Sequence, residues 1–539
     1  MKPTVLHLPF LQANRRTSNT PLLSTGPLRD EFRQSRLADL SCVALLLLLA
    51  AMILLLRNSV VPMQIWDESR NANNALEMSR SGYSLVTYFH GAPDHWSTKP
   101  PLLIWLMTLC FRLGLAPLLA VRLPSIMAAI SSILLVFFFG RICLRDRLAG
   151  LLAGLTLLAA PLFVGWHTGR TGDFDSLVVF FTLAYALAFW CYIETPGRAR
   201  TRWVAAAGVA VALNVLTKGV GGVLALPALL LYAILRGRLR RVLLDWRLWL
   251  TLLGIALICS GYYGLREHLD PGYLQAVWRN EFTGRYLAVN EEHTGGSLYY
   301  FRVLAGRFEP GFILLPLAAI PFFRPDQRRR SVALLCLLTC VVLLGVLTES
   351  QTKIFWYLAP ATPFLALAVG IGVSDSLAWL RAREQKLPAL FRPRIAYAAV
   401  AAIFGVANLA AVYYYQIGVE RKLAGTYMEG RYGPFLNRVR HSGVTQHLVL
   451  LDYGSNEAMI DNKSGEFAHY SPEADFYAKV ESARGMQVQV AVPDHDLPSG
   501  SWIATCDPRS NAWLTGRYHV AVVLRSNPWC TLEQILGAK

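Results

Sequence analysis

Apolar residues in this chain fall in long uninterrupted blocks, with no sustained alternation over its first four hundred or so positions, and those blocks decide its class. Runs such as 40–56 and 332–347 approach the roughly 20 residues needed to cross a hydrocarbon core of about 30 Å. Each predicts a helix, because lipid offers no partner to the backbone N–H and C=O groups of a lone segment. About eleven spans are expected, near 39–56, 119–141, 148–167, 176–193, 203–217, 220–235, 248–265, 311–323, 331–348, 356–379 and 395–415, or about 11–13 when half-spans are counted. The run 102–119 reads as interfacial or re-entrant, since a crossing there breaks the charge pattern of everything after it.

From about Gly418 the hydropathy drops, and short or alternating apolar stretches at 446–451, 488–492 and 519–524 predict a small soluble α/β domain over 418–539. Residues 1–38 carry Arg15, Arg16, Arg29, Arg33 and Arg36 among Ser, Thr, Pro and Asn and read as a flexible basic tail. The first apolar run is too long for the core of a cleavable signal and is expected to be a retained anchor. The fold class is therefore a polytopic α-helical membrane protein. Its transmembrane domain covers 39–417, with outer loops 57–118 and 266–310.

Composition agrees: 54% of the residues are hydrophobic and 16% charged. The net charge of +17 changes the picture only through its placement. Clusters such as Arg236, Arg238, Arg240 and Arg241, or Arg324, Arg328, Arg329 and Arg330, sit in short loops between apolar runs, the bias that keeps loops in the cytoplasm. Nucleic-acid binding is set aside on that ground. With Arg141/Arg145/Arg147, Arg198/Arg200/Arg202 and Arg381/Arg383/Lys386 on the same side, loops 57–118, 168–175, 266–310 and 349–355 fall on the other, and so does a tight turn holding Lys218. The C-terminal domain is expected there too, in the oxidising periplasm outside a bacterial inner membrane, with Cys506 and Cys530 either free or joined. The other seven cysteines lie in or beside apolar runs without metal-site spacing.

The first outer loop holds Trp66-Asp67-Glu68-Ser69-Arg70, then Glu77-Met78, Gly82 and Trp96-Ser97-Thr98-Lys99-Pro100-Pro101-Leu102. Alone, the acid pair would cap a helix at the membrane surface. Asp175 and Lys218, however, stand at span ends, where an ionisable group is expensive unless it faces a polar cavity. The plainer alternatives are a snorkelling lysine and a local Arg170–Asp175 ion pair.

In order along the chain, Asp67-Glu68-x-Arg70, Glu77-Met78, Lys99-Pro100-Pro101-Leu102, Arg170 to Leu177, Leu216-Thr217-Lys218-Gly219, Asn280 to Tyr286 with His293 and Tyr299-Tyr300, and Lys353 to Pro360 resemble the outer-loop motifs of one family. It is the protein O-mannosyltransferase-like family, which includes the lipid A aminoarabinose transferases and belongs to the GT-C membrane glycosyltransferases. The resemblance covers about 40–380. It implies an inverting enzyme of the hexosyl- or pentosyltransferase class that takes a sugar from a polyprenyl-phosphate donor to lipid A, O-antigen, another glycan or protein.

It also implies roles. Asp67 is the base or acceptor-orienting acid, with Glu68 the lesser alternative and Asp175 a second acid. Lys99, Lys218 and Arg285 hold the donor phosphate, and Arg70, Lys353, Tyr300 and Tyr357 border the substrates. Family members often carry an acid before Lys-Pro that joins a histidine on a metal. Here Thr98 stands in that place, so a divalent metal, on His293 with His95 or Asp94, is allowed by the sequence but not required. Residues 354–356 depart from the family's Leu-Pro-x as well. The competing reading, a flippase of lipid-linked sugars, predicts internal repeats and polar residues at mid-membrane, and the sequence has neither. A multi-span assembly factor would need no clustered acids or cations. The identity of sugar and acceptor is not encoded in these motifs.

Overall fold

The structure is a computed structural model and describes residues 36–82, 84–287, 293–386, 392–424, 431–443, 447–454, 459–460, 467–468, 470–494, 496–526 and 529–539. The expected tail falls almost entirely outside the described residues.

Among the described residues, eight helical segments are long and apolar enough to cross a membrane: Arg36–Val60, Pro117–Cys143, Asp175–Glu194, Ala199–Val223, Trp246–Leu269, Gln327–Glu349, Phe355–Ala382 and Pro393–Leu423. A ninth forms if Tyr299–Arg307 and Gly311–Phe323, bent by 107°, count as one span. The three remaining expected spans, 148–167, 220–235 and 311–323, coincide with shorter or bent helices, and proline is the common cause. Pro161 restarts the chain after Arg147–Ala159, Pro227 opens Leu226–Leu235, and Pro316 and Pro321 divide the bent segment. The 102–119 run holds an 11-residue helix, Leu102–Arg112, too short to cross.

For reference, α1 is Arg36–Ala50, α2 Asp67–Ser81, α3 Leu102–Arg112, α4 Pro117–Phe138, α5 Arg147–Ala159, α6 Asp175–Glu194, α7 Ala199–Lys218, α8 Thr362–Ala382 and α9 Pro472–Ser482. Helix α6 is the axis of the bundle: nearly all of its side chains are buried, whereas those of Trp246–Leu269, on the periphery, are almost all at least partly exposed. It packs on α4 and α7, while α5 packs on α8.

Basic loops gather at one end through acids supplied by neighbouring segments. Arg141 and Arg147 reach Asp39 at 2.9 and 2.5 Å, and Arg329 reaches Asp146 at 2.9 Å and Asp375 at 2.6 Å. The loops expected on the opposite side touch one another instead: Gly172 meets Glu68, Thr98 meets Glu281, and the backbone of Lys353 meets that of His293.

The C-terminal region holds a five-stranded sheet of β1 (Leu448–Leu451), β2 (Val488–Ala491), β3 (Trp502–Thr505), β4 (Tyr518–Ser526) and β5 (Cys530–Ala538), in the order β2-β1-β3-β5-β4. β1 is parallel to β2 and β3, and β5 runs antiparallel to β3 and β4. A disulfide between Cys506 and Cys530 joins the end of β3 to the start of β5.

This region is built onto the membrane bundle. Helix α9 lies along α2, with Asn73 Nδ2 donating to Pro472 O at 2.7 Å, Lys479 Nζ bound to Glu77 at 2.6 Å, and His90 bound to Asp475 at 2.9 Å. One apolar core runs through both, joining Ala72, Leu76 and Met107 to Phe435, Leu436 and Phe476.

Beneath that contact Glu473 is buried, 3.3 Å from Arg431. Burial pushes its carboxyl up to about 7 from the ordinary 4.5; Arg431 and Arg122 pull it back, while Asp452 and Glu68 add to the rise. Between those values the folded protein holds a proton that the unfolded chain has released. The Glu473 contribution to stability is therefore complete below about 4 and is lost as pH rises toward about 7. The thermal midpoint of the detergent-solubilised protein should fall with pH across this window, with a shallower slope in Glu473→Gln. Equal slopes would mean that Glu473 is already ionised in the folded state.

Candidate active site

Helix α2 begins at Asp67, directly after Trp66, and its second residue is the most constrained acid of the region. Glu68 is 0% exposed. Its Oε1 accepts from Arg122 Nε at 2.6 Å and Gly172 N at 2.9 Å, its Oε2 from Arg122 Nη2 at 3.0 Å and Gln64 N at 2.9 Å. Arg122, on α4 and equally buried, also donates to Asn58 O at 2.6 Å, Asn58 Oδ1 at 3.1 Å, Val61 O at 2.9 Å and Pro62 O at 3.1 Å. Four lengths of chain are tied together by one ion pair. Gly172 is needed for it, because a Cβ there would stand 2.5 Å from Val121 Cγ1. Both oxygens of Glu68, the lesser alternative for the base, are engaged in hydrogen bonds that hold these loops together.

Asp67 is left half-buried beside two residues of the 165–175 loop. One ligand atom each from Asp67, His167 and Asp173 lie within 4.8 Å of one another. His167 takes a left-handed backbone (φ 60°), and its ring stacks on Trp356 with centroids 3.6 Å apart. Its Nδ1 is 3.6 Å from Asp173 Oδ2, which accepts from Thr171 Oγ1 at 2.5 Å. Burial by itself would lower the imidazole pKa, but Asp173, then Asp67 and Asp175, hold it above its ordinary value. The cluster can therefore share a proton or hold one divalent cation. Among the described residues it is the one group of three close metal-ligand side chains. Of the two histidines expected to pair on a metal, His95 is bound to Asp270 at 2.9 Å, and the backbone carbonyl of His293 accepts from Lys353 N at 2.9 Å.

Asp175 opens α6 and accepts from Lys218 Nζ at 2.6 Å, so the anticipated Arg170–Asp175 pair does not form. Arg170 instead donates to the carbonyls of Ile53 and Arg57. Lys218 ends α7 where Gly219 turns the chain at φ +54°, and its Nζ lies 4.8 Å from the Tyr357 ring centroid.

Lys218 and Lys99 line one cavity of about 390 Å³, whose walls are mostly apolar: Pro100, Val215, Val220, Val223, Tyr263, Leu274, Val277 and Trp278. Thr98 and Glu281 complete it, joined by a hydrogen bond of 2.8 Å. Two ammonium groups in an apolar slot suit an anionic head on a greasy tail.

The other anticipated substrate residues divide. Tyr357 borders the cluster through Lys218. Arg70 is clasped by Asp94 at 3.0 and 2.8 Å under the Phe89 ring; burial alone would raise the Asp94 carboxyl, but Arg70 holds it below the ordinary carboxylate range. Lys353 Nζ donates to the carbonyls of Thr348 and Ser350, both at 2.6 Å, and buried Tyr300 accepts from Ile354 N at 3.4 Å. Each of these three side chains is thus hydrogen-bonded to its own protein neighbours. The side chain of Arg285 lies outside the described residues. His167 and the role of Asp173 escaped the sequence reading. Asp173 stands two residues before Asp175 in the same motif, whereas nothing local marks His167.

A family profile described as dolichyl-phosphate-mannose-protein mannosyltransferase matches residues 98–263. A protein of Pseudomonas savastanoi pv. phaseolicola, named undecaprenyl phosphate-alpha-4-amino-4-deoxy-L-arabinose arabinosyl transferase, is 27% identical over 370 residues, covering 67% of each chain. A protein of the same name from Aeromonas salmonicida is 28% identical over 317 residues, covering 58% of this chain and 56% of its own length. The crystal structure of ArnT from Cupriavidus metallidurans bound to undecaprenyl phosphate superposes with a TM-score of 0.63 at 17% identity, covering 92% of this chain and 97% of that one. That likeness shows a common fold.

Removing one partner of a buried ion pair leaves the other charge stranded, at a cost of about 3–5 kcal/mol. Glu68→Gln should therefore lower the thermal midpoint and the yield of monodisperse protein, while Asp67→Asn, at a half-buried position, keeps both near wild type. Size-exclusion thermostability in detergent reads the difference. Equal stability of the two variants would contradict the assignment of Glu68.

Proposed function

The chain belongs with the GT-C membrane glycosyltransferases of the protein O-mannosyltransferase-like group, and on that premise we propose that it moves a sugar from a polyprenyl-phosphate donor to an envelope acceptor, at a site facing the periplasm. The observation that carries this reading is the cavity in which Lys99 and Lys218 stand among apolar walls, next to the acids around Asp67. The related arabinosyl transferases are named for an undecaprenyl-phosphate pentose, which supports a donor of that class.

The chemistry follows from the leaving group. A phosphate ester departs as a stable anion, so the protein has two tasks: neutralising charge that develops on phosphate oxygen and taking a proton from the acceptor. Lys99 and Lys218 serve the first. Asp175 positions Lys218 through its 2.6 Å bond, and Tyr357 limits the swing of the ammonium from the other side. Asp67 serves the second, with attack on the face of the sugar opposite the phosphate inverting the anomeric centre. Residues that could hold a divalent cation are Asp67, His167 and Asp173; such an ion would add positive charge beside the acceptor. A flippase would instead need its polar groups along a path through the bundle, and here they collect at one end.

Two outcomes test the reading. Cysteines placed at the exposed positions Gly296 and Gln327, in a background without the free cysteines, should be labelled from opposite sides, Gly296 from the periplasm. Labelling from the same side would break the topology. In purified protein, Asp67→Asn should cut transfer by at least about a hundredfold with donor binding kept, whereas Lys218→Ala should weaken binding of polyprenyl phosphate. Unchanged lipid-phosphate affinity in Lys218→Ala would remove it from the donor site.

A further inference from the structure

Of the two cations that line the donor cavity, Lys218 is placed by the end of a long helix and by its bond to Asp175. Lys99 has no helix under it. Residues 94–101 belong to no helix or strand, so the position of its ammonium, 5.2 Å from the Phe174 ring centroid, depends on what holds this stretch of chain.

Part of the hold is local: Asp94 Oδ1 accepts from Trp96 N at 3.1 Å, and Thr98 N donates to Trp96 O at 2.9 Å. The rest comes from residues 270–281, which meet the segment at three points. His95 Nε2 is 2.9 Å from Asp270 Oδ1, Thr98 Oγ1 donates to Glu281 Oε1 at 2.8 Å, and the Tyr273 hydroxyl donates to the Thr98 carbonyl at 2.8 Å. The last bond acts most directly on Lys99, because the Thr98 carbonyl and the Lys99 nitrogen belong to one planar peptide group.

Tyr273 is itself held on several sides. It is fully buried, the Arg266 guanidinium lies 4.5 Å from its ring centroid, and Arg266 is paired with Asp270 at 2.5 Å. The Tyr262 hydroxyl is 3.3 Å from its own, and its ring stacks on Tyr263, a wall of the donor cavity, with centroids 6.2 Å apart. A buried hydroxyl keeps its acceptor, since leaving it would strand both groups without water to replace the bond.

Resting on the donor reading above, we propose that Tyr273 is a positioning residue for the transfer: its bond to the Thr98 carbonyl sets the Lys99 ammonium where the donor phosphate is received. Tyr273 is not among the residues that line the cavity, so its effect on the donor passes through Lys99.

The test is binding of undecaprenyl phosphate to the purified full-length protein in four forms: wild type, Tyr273→Phe, Lys99→Ala and the double variant. Phenylalanine keeps the ring against Arg266 and Tyr263 and removes only the hydroxyl, and the thermal midpoint of each form checks that it is folded. Tyr273→Phe should weaken lipid-phosphate binding by about three- to tenfold, the range expected for one buried hydrogen bond. In the Lys99→Ala background the same change should have no further effect, because the group it positions is gone. Wild-type affinity in Tyr273→Phe would overturn the proposal, and so would an equal loss with and without Lys99, which marks a role in the wall of the cavity. Loss of the folded state in Tyr273→Phe would overturn it too, since the hydroxyl would then hold the fold and not one side chain. Wild-type affinity in Lys99→Ala would instead remove Lys99 from the donor site, and with it the reading on which the proposal rests.

Discussion

An arginine inside a membrane helix must find its counterion and its hydrogen bonds within the protein, and Arg122 finds them in Glu68 and four loop acceptors. The consequence is geometric. The segment after α1, the start of α2 and the Gly172 turn are fixed to the same guanidinium–carboxylate pair, and this brings Asp67 and Asp173 to one imidazole. The net energy of such a pair is small or even unfavourable beside a well-packed apolar substitute. Its effect is on specification, because a membrane loop has few other means of holding a carboxylate in place.

From that anchor the site divides in two. On one side Asp175 and Lys218 form a bridge between α6 and α7, and the lysine faces an apolar cavity shared with Lys99. On the other side His167 stacks on Trp356, and Trp66, which precedes Asp67, stacks on Tyr470 from beyond the membrane bundle. The C-terminal region is therefore part of the site's architecture: α9 braces α2 along its length, and Tyr470 braces Trp66 at its start.

Much of this was legible in the sequence because lipid is a demanding solvent. Uninterrupted apolar runs marked the helices, and the spacing of arginines separated two sets of loops that indeed touch among themselves. Helix lengths were less legible, since Pro161, Pro227 and Pro316 shorten or bend segments whose composition is that of full spans. Lys99 and Lys218 share one cavity, Lys218 bonds Asp175, and Asp67 lies beside His167 and Asp173. Glu68, Arg70 and Lys353 carry the same side-chain chemistry, yet their partners, Arg122, Asp94 and two loop carbonyls, are brought to them by tertiary folding that no local pattern records. His167 was missed for the same reason: Asp67 and Trp356, two of its neighbours, lie about a hundred and two hundred positions away.

Everything proposed for the reaction turns on the donor's phosphate sitting in the cavity between Lys99 and Lys218. An experimental structure of the full-length protein in a lipid nanodisc with undecaprenyl phosphate tests it directly. Phosphate density is expected within hydrogen-bond distance of both ammonium groups, with the polyprenyl chain leaving along Val215, Val220 and Trp278. Density for the lipid head at any other surface, with that cavity empty, would contradict it.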